Sequence, residues 1–322
     1  MANPIVGHDA VRSQLRNAIT SARMPHAWIL HGQQGIGKSL LAQEMAQEFL
    51  CTARNGDGQP CAQCHSCRMM LADTHPDFRA LAREEGKRDI PVHAIRTLLA
   101  FLILSGNESE RRAVIINDAD HLNKAAANAL LKGLEEPTSG CLLILVVHDL
   151  QRLPATVRSR AVLQRCHALN DRDMRTVLTQ MNFDATLLGL ALQAGQGRPG
   201  RIVCLQPAKD AKLLHQWQQA TEHLEEIDIG QIQQLLASKW PIELLQLAIE
   251  LLLERLYHLI PALPVATAEQ VLQLAWELAE MPKRIAHQKL APDMALLGLL
   301  IALRKQLRHA PNAAIANPHN GD

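Results

Sequence analysis

Ala27-Trp28-Ile29-Leu30, followed closely by Gly32-Gln33-Gln34-Gly35-Ile36-Gly37-Lys38-Ser39, is the stretch whose reading decides the fold. The four apolar residues predict a buried strand. The next eight fit G-x-x-x-x-G-K-[ST] in full, and helical spacing runs on from about Lys38 to Leu50. Strand, glycine loop and helix in that order are the context in which the pattern has a mechanism. Glycines let backbone amides turn inward around phosphate oxygens at a helix N-terminus. Lys38 would then reach the terminal phosphates of ATP, and the Ser39 hydroxyl would ligate Mg²⁺. Gly32, Gly35, Gly37, Lys38 and Ser39 are the candidate nucleotide-binding residues. The plain alternative is a glycine-rich turn that holds no nucleotide.

Working outward, Phe78 to Leu81, Ala113 to Ile116 and Cys141 to Val147 read as further strands. Helical patterns at Val92 to Leu104 and Lys124 to Leu134 separate them. Continuous apolar strands divided by helices predict a parallel sheet covered on both faces. After about Leu163 the strands stop. Short helices follow from Asp171 to Val203, broken by Gly195, Gly197, Pro199 and Gly200. From about Lys209 onward the pattern is long Leu-rich helices. One is expected to start at Thr267, where Thr267 and Gln270 fit a capping box, and another to run from about Asp293 to Arg308. The stretch 310–322 lacks periodicity and is expected to be disordered.

Composition narrows the function classes. With 322 residues, 48% of them hydrophobic, the chain has ample material for two or three cores. Lys and Arg number 33 against 32 Asp and Glu, a formal charge of +1 that disfavours bulk electrostatic binding to nucleic acid. Aromatics at 3% disfavour base-stacking platforms. Met1 to Thr20 shows no apolar leader pattern, and Ala295 to Leu303 is too short to span a bilayer. The expectation is a cytoplasmic protein whose 7 cysteines are reduced.

An ATP-hydrolysing site of this kind also needs a strand ending in adjacent carboxylates, to hold Mg²⁺ and orient water. The candidate here is Val114-Ile115-Ile116-Asn117-Asp118-Ala119-Asp120. If Asn117 takes the metal position, a charge is lost. If Asp118 takes it, Ala119 replaces the base. Asp118 is thus a degenerate metal-shell candidate, and the rival reading leaves Asp118 and Asp120 solvated at a strand end.

Cys61-x-x-Cys64-x-x-Cys67 follows Cys51 across a loop rich in Gly and polar residues. Four thiols there can close the tetrahedral shell that structural Zn²⁺ prefers. An iron–sulfur cluster is the rival, although the fourth Cys three residues on, followed by Pro, is missing. Cys51 is also readable as a core thiol, with His65 in its place as a ligand. Cys141, Cys166 and Cys204 read as buried thiols. Arg152-Leu153-Pro154-Ala155-Thr156-Val157-Arg158-Ser159-Arg160 is either a solvated basic face or the carrier of an arginine finger acting in trans.

Together these pieces resemble the bacterial clamp-loader subunits of the AAA+ class, those of DNA polymerase III. The resemblance rests on Asn128-Ala129-Leu130-Leu131-Lys132-Gly133-Leu134-Glu135-Glu136-Pro137, on Thr74-His75-Pro76-Asp77 and on Leu153 to Arg160. Ile5-Val6-Gly7-His8, Pro25-His26-Ala27 and Leu290-Ala291-Pro292-Asp293 add to it. It implies an AAA+ domain over 1–166 with a zinc-binding insertion at 51–67, a helical lid over 167–207, and an all-α collar over 208–309. It also implies Zn²⁺ on Cys51, Cys61, Cys64 and Cys67, and Arg160 reaching the ATP site of an adjacent subunit. The implied partners are the motor subunits (gamma/tau) and the delta subunit in a five-membered ring, with the sliding clamp and primed DNA met through that complex.

The departures fall on hydrolysis. Asn117-Asp118-Ala119-Asp120 stands for Asp-Glu-Ala-His, and Val147-His148 for the usual sensor Thr. Gly197-Arg198-Pro199-Gly200-Arg201 leaves open whether the lid's sensor Arg survives as Arg201. Ala161 replaces the Cys of the Ser-Arg-Cys box without touching Arg160. The reading is a stator subunit with little or no hydrolysis of its own. An active motor using the intact loop is the alternative, and a zinc-dependent nucleic-acid-binding module is a third.

Overall fold

A computed structural model of the chain describes residues 5–20, 24–54, 59–84, 86–104, 106–108, 110–183, 188–205, 208–238, 240–288 and 292–308. The 310–322 tail and the Leu290-Ala291 part of the last box lie outside the described residues. The chain groups into two compact units, residues 1–181 with 196–200, and residues 182–195 with 201–322.

The first unit follows the alternation of its sequence. Its elements are α1 (Asp9–Thr20), β1 (Ala27–His31), α2 (Lys38–Leu50), α3 (His65–Leu71), β2 (Phe78–Leu81), α4 (Val92–Ile103) and β3 (Arg112–Ile116). After these come α5 (Lys124–Glu135), β4 (Cys141–Val147), α6 (Ala155–Arg158), β5 (Val162–Arg165) and α7 (Asp171–Gln180). The strands form one parallel sheet in the order β2-β3-β4-β1-β5. Burial on both faces explains the unbroken apolar runs. Trp28, Leu30, Ala113, Ile115, Leu142 and Ile144 share one core with α1 and α2, and the alternate residues Ile29, Val114, Ile116, Leu143 and Leu145 share the other with α4 and α5. This is the expected α/β class with helices on both sides of the sheet.

Strand β5 corrects the expectation that strands stop near Leu163. It pairs with β1 from Trp28↔Val162 to His31↔Arg165 at the sheet edge. Gln164 and Arg165 break the apolar run because only one neighbour covers an edge strand.

The Thr74-His75-Pro76-Asp77 motif turns out to be a buried polar joint. His75 Nε2 donates to Ser66 Oγ at 2.9 Å, and that hydroxyl donates to Leu50 O at 2.9 Å. The Asp77 amide donates to His75 Nδ1 at 3.0 Å. One imidazole thereby ties α3 to the end of α2 and to the start of β2. Asp77 is fully buried; its carboxylate accepts from the amides of Asn107 and Glu108 at 2.7 and 2.8 Å and faces Arg112 Nε at 3.6 Å. The Arg112 guanidinium lies 4.3 Å from the Phe101 ring centroid.

The second unit holds α8 (Leu188–Gly195), α9 (Ala208–Ala220), α10 (Ile229–Leu236), α11 (Ile242–Leu259), α12 (Val265–Gln288) and α13 (Pro292–Arg308). The long helices match the expected pattern, but the Thr267 capping box does not form. Helix α12 begins at Val265, directly after Pro264, whose carbonyl accepts from the Ala268 amide at 2.8 Å. A proline ahead of the helix sets its start and places Thr267 inside the first turn. Among the described residues no helix is long and apolar enough to cross a membrane.

Removing one member of a buried ion pair strands the other. Asp77→Ala is therefore expected to lower unfolding free energy by about 3 kcal/mol or more in urea denaturation. A loss under about 1 kcal/mol, the range of a surface pair, would contradict this role.

Candidate functional site

The predicted loop leaves β1 and enters α2 as the sequence implies. Gly32, Gly35 and Gly37 have φ of 150°, 84° and 93°. A Cβ on Gly32 would meet Cys166 O at 2.3 Å, so both conformation and space require glycine there. Ser39 is exposed on the first turn of α2. The loop is tied down through its carbonyls. His8 Nε2 donates to Ile36 O at 2.8 Å, and the Gly200 amide donates to Gly35 O at 2.9 Å. Within the N-terminal Ile5-Val6-Gly7-His8 box, His8 thus braces the glycine loop.

Lys38 is buried, and its ammonium donates to Gly32 O at 2.7 Å, Gln33 O at 2.6 Å and His148 Nδ1 at 2.9 Å. Burial pushes it down to about 8, opposed by the nearby Cys166, Asp120 and Asp118. On its far side His148 Nε2 donates to Asp118 Oδ1 at 2.9 Å. That bond, opposed by partial burial, holds the Asp118 carboxyl below its usual range. Asp118 is only partly exposed, and its Oδ1 is engaged by His148.

Asp120 is buried too, contrary to the solvated reading. Its carboxylate accepts from the amides of His148 and Asp149 at 3.2 and 3.3 Å, capping the end of β4. The Asp120 carboxylate is thus committed to the backbone at the end of β4. The role of His148 as partner of Lys38 was missed in sequence; its only signal was its place at the end of β4, where Thr is usual.

The four predicted cysteines come together. The sulfurs of Cys51, Cys61, Cys64 and Cys67 all lie within 4.8 Å of one another, and His65 is not among the close donors. Cys51 Sγ lies 3.7 Å from Cys61 Sγ and 3.9 Å from Cys64 Sγ. A tetrahedron with metal–sulfur bonds of ~2.3 Å has edges of about 3.8 Å, so the thiols fit a tetrahedral ion. A disulfide would need about 2.05 Å. Burial raises Cys51 and Cys67; burial also opposes ionisation of Cys64, but hydrogen bonds from the Cys67 amide and Thr52 hold it down at about 5. Burial likewise raises Cys141, Cys166 and Cys204; Cys166 is buried as expected, whereas Cys141 and Cys204 are only partly buried.

Arg160 follows α6 and is partly exposed. Its guanidinium pairs with Glu135 Oε1 at 2.8 Å and donates to Thr156 O at 2.9 Å. Arg201, the open sensor candidate, pairs within the second unit with Glu250 at 3.0 Å and Glu254 at 2.9 Å, both on α11. Residue 200 has no side chain to offer; a Cβ there would meet Gly35 Cα at 2.9 Å.

With this geometry in place, comparison with known proteins is decisive for the family. A family model described as DNA polymerase III, delta subunit, matches residues 7–170, about half of the chain. The chain belongs to this family. Its similarity is to proteins named DNA polymerase III subunit delta′. That of Pseudomonas aeruginosa is 39% identical over 45% of this chain and 44% of its own length. That of Escherichia coli is 33% identical over 58% of this chain and 55% of its own length. The chain thus spans about half the length of the curated relatives it matches. DNA polymerase III subunit gamma of Buchnera aphidicola is 26% identical over 60% of this chain and 54% of its own length. Among solved structures, a DNA polymerase III gamma subunit-related protein of Thermotoga maritima superposes with a TM-score of 0.48 at 17% identity, covering 91% of this chain and 99% of that one.

Metal at the cysteines should carry part of the local stability, since the segment has few apolar residues to fold around. Treating the purified chain with a strong chelator is expected to lower its Tm and release four titratable thiols. An unchanged Tm, with no metal in the filtrate, would count against a metal site.

Proposed function

We propose that this chain is a stator of the DNA polymerase III clamp loader. It braces the ring that loads the sliding clamp onto primed DNA and supplies Arg160 to the ATP site of the adjacent gamma/tau motor subunit. The observation that carries the reading is the fate of the strand-end carboxylates. Asp118 has one oxygen bonded to His148, Ala119 follows it where a base would stand, and Asp120 caps β4, which supports a site poorly equipped to orient an attacking water. Arg160 stays at the surface on one ion pair to Glu135, an exposed contact that a neighbouring phosphate can outcompete.

The helices of 208–309 serve as the collar. On α12, Val265, Leu272 and Trp276 are exposed by 76%, 45% and 62% and fall at i, i+7 and i+11, a single stripe. An apolar stripe of this kind is the expected seam for partner helices, including those of the delta subunit. The segment 167–207 is assigned to the lid. Cys51, Cys61, Cys64 and Cys67 hold Zn²⁺, whose role is structural because four thiolates leave no open coordination position.

The motor reading is favoured by one observation, the complete Gly32–Ser39 loop with Ser39 exposed. The two readings separate in a reconstituted loader. Arg160→Ala is expected to lower its DNA-dependent ATPase by about tenfold or more, since arginine fingers contribute at least that much, while Lys38→Ala changes it little. The reverse pattern would identify a motor.

A further inference from the structure

The phosphate loop fits a nucleotide at every position but one. The glycine conformations, the exposed Ser39 and the helix start are in order. Lys38 is the exception. An ammonium has three donor hydrogens. All three are matched here, by Gly32 O, Gln33 O and His148 Nδ1 at 2.6–2.9 Å.

The His148 contact has its own support. Lys38 can only donate, so Nδ1 must be the accepting nitrogen and Nε2 must carry the proton. That proton goes to Asp118 Oδ1 at 2.9 Å. A carboxylate behind an imidazole fixes its tautomer and strengthens its other nitrogen as an acceptor. The His148 backbone is pinned as well, since its amide and that of Asp149 are both held by buried Asp120. The imidazole is therefore anchored through side chain and main chain, and its open lone pair faces Lys38.

We propose that His148 is a positioning residue that acts as an internal competitor for phosphate, holding Lys38 in a Lys38–His148–Asp118 chain and weakening nucleoside triphosphate binding at an otherwise intact loop. The ligand class concerned is Mg²⁺-bound nucleoside triphosphate or diphosphate. Binding requires Lys38 to give up at least the His148 bond before it can reach a phosphate oxygen. This goes beyond the stator reading, which concerns hydrolysis. Freeing Lys38 in this way also releases Asp118, but turnover is not expected to follow, because Ala119 stands where the base would follow Asp118 and Asp120 stays on the backbone amides of residues 148 and 149. The two ideas can therefore fail separately.

The test is equilibrium binding of a fluorescent ATP analogue with Mg²⁺ to the full chain. Removing one charge-assisted hydrogen bond from Lys38 corresponds to about a tenfold change in affinity. His148→Thr is expected to bind about tenfold more tightly than the unmodified chain, and adding Lys38→Ala is expected to remove the gain. Unchanged or weaker binding by His148→Thr with native circular dichroism would overturn the proposal. A second measurement needs no variant. Nitrogen-15 histidine spectra of the unmodified chain should show His148 protonated at Nε2 and unprotonated at Nδ1. A proton on Nδ1 at neutral pH would overturn the proposal on its own. If the chain hydrolyses ATP briskly once His148 is replaced, the stator reading fails while the competitor role stands.

Discussion

A buried ammonium must be met by acceptors, and in this chain that requirement organises the centre of the first unit. Lys38 lies at the start of α2, out of water, where isolated charge is costly. Its acceptors come from the loop that follows β1 and from the end of β4, and the carboxylate behind them comes from the end of β3. The order β3-β4-β1 makes those strands neighbours, so the parallel sheet delivers all three groups to one place. In open α/β sheets ligands bind at this carboxyl end of the strands. Here the chain's own side chains use the same position.

Several residues that look functional in sequence serve the scaffold instead. His75 and Asp77 join α3, α2 and β2 through buried hydrogen bonds. Gly133, in α5 within the Asn128–Pro137 motif, has Leu99 packed where a Cβ would sit, at 2.4 Å, and so lets α5 lie close on α4. His8 holds the phosphate loop by its Ile36 carbonyl. Such residues are demanding because each sits where backbone groups of two elements must be satisfied at once.

What was legible in the sequence was local. The strands β1, β3 and β4 were readable because burial on both faces leaves uninterrupted apolar runs. The cysteine cluster was readable because three of its members sit at fixed short spacing. Strand β5 was not, since an edge position admits Gln164 and Arg165. The start of α12 was misplaced because Thr267 and Gln270 mimic a cap that Pro264 pre-empts. The Lys38–His148 bond joins residues 110 positions apart, and no local pattern announces it. Asp120 looked like a solvated strand-end residue until the fold placed two amides against it.

The central claim is that this chain keeps the loop of an ATPase without its hydrolytic chemistry. The most direct measurement is steady-state ATP turnover by the purified chain alone, in Mg²⁺ and at saturating nucleotide. The account predicts turnover at background, unchanged by Lys38→Ala. Brisk turnover that Lys38→Ala abolishes would contradict it.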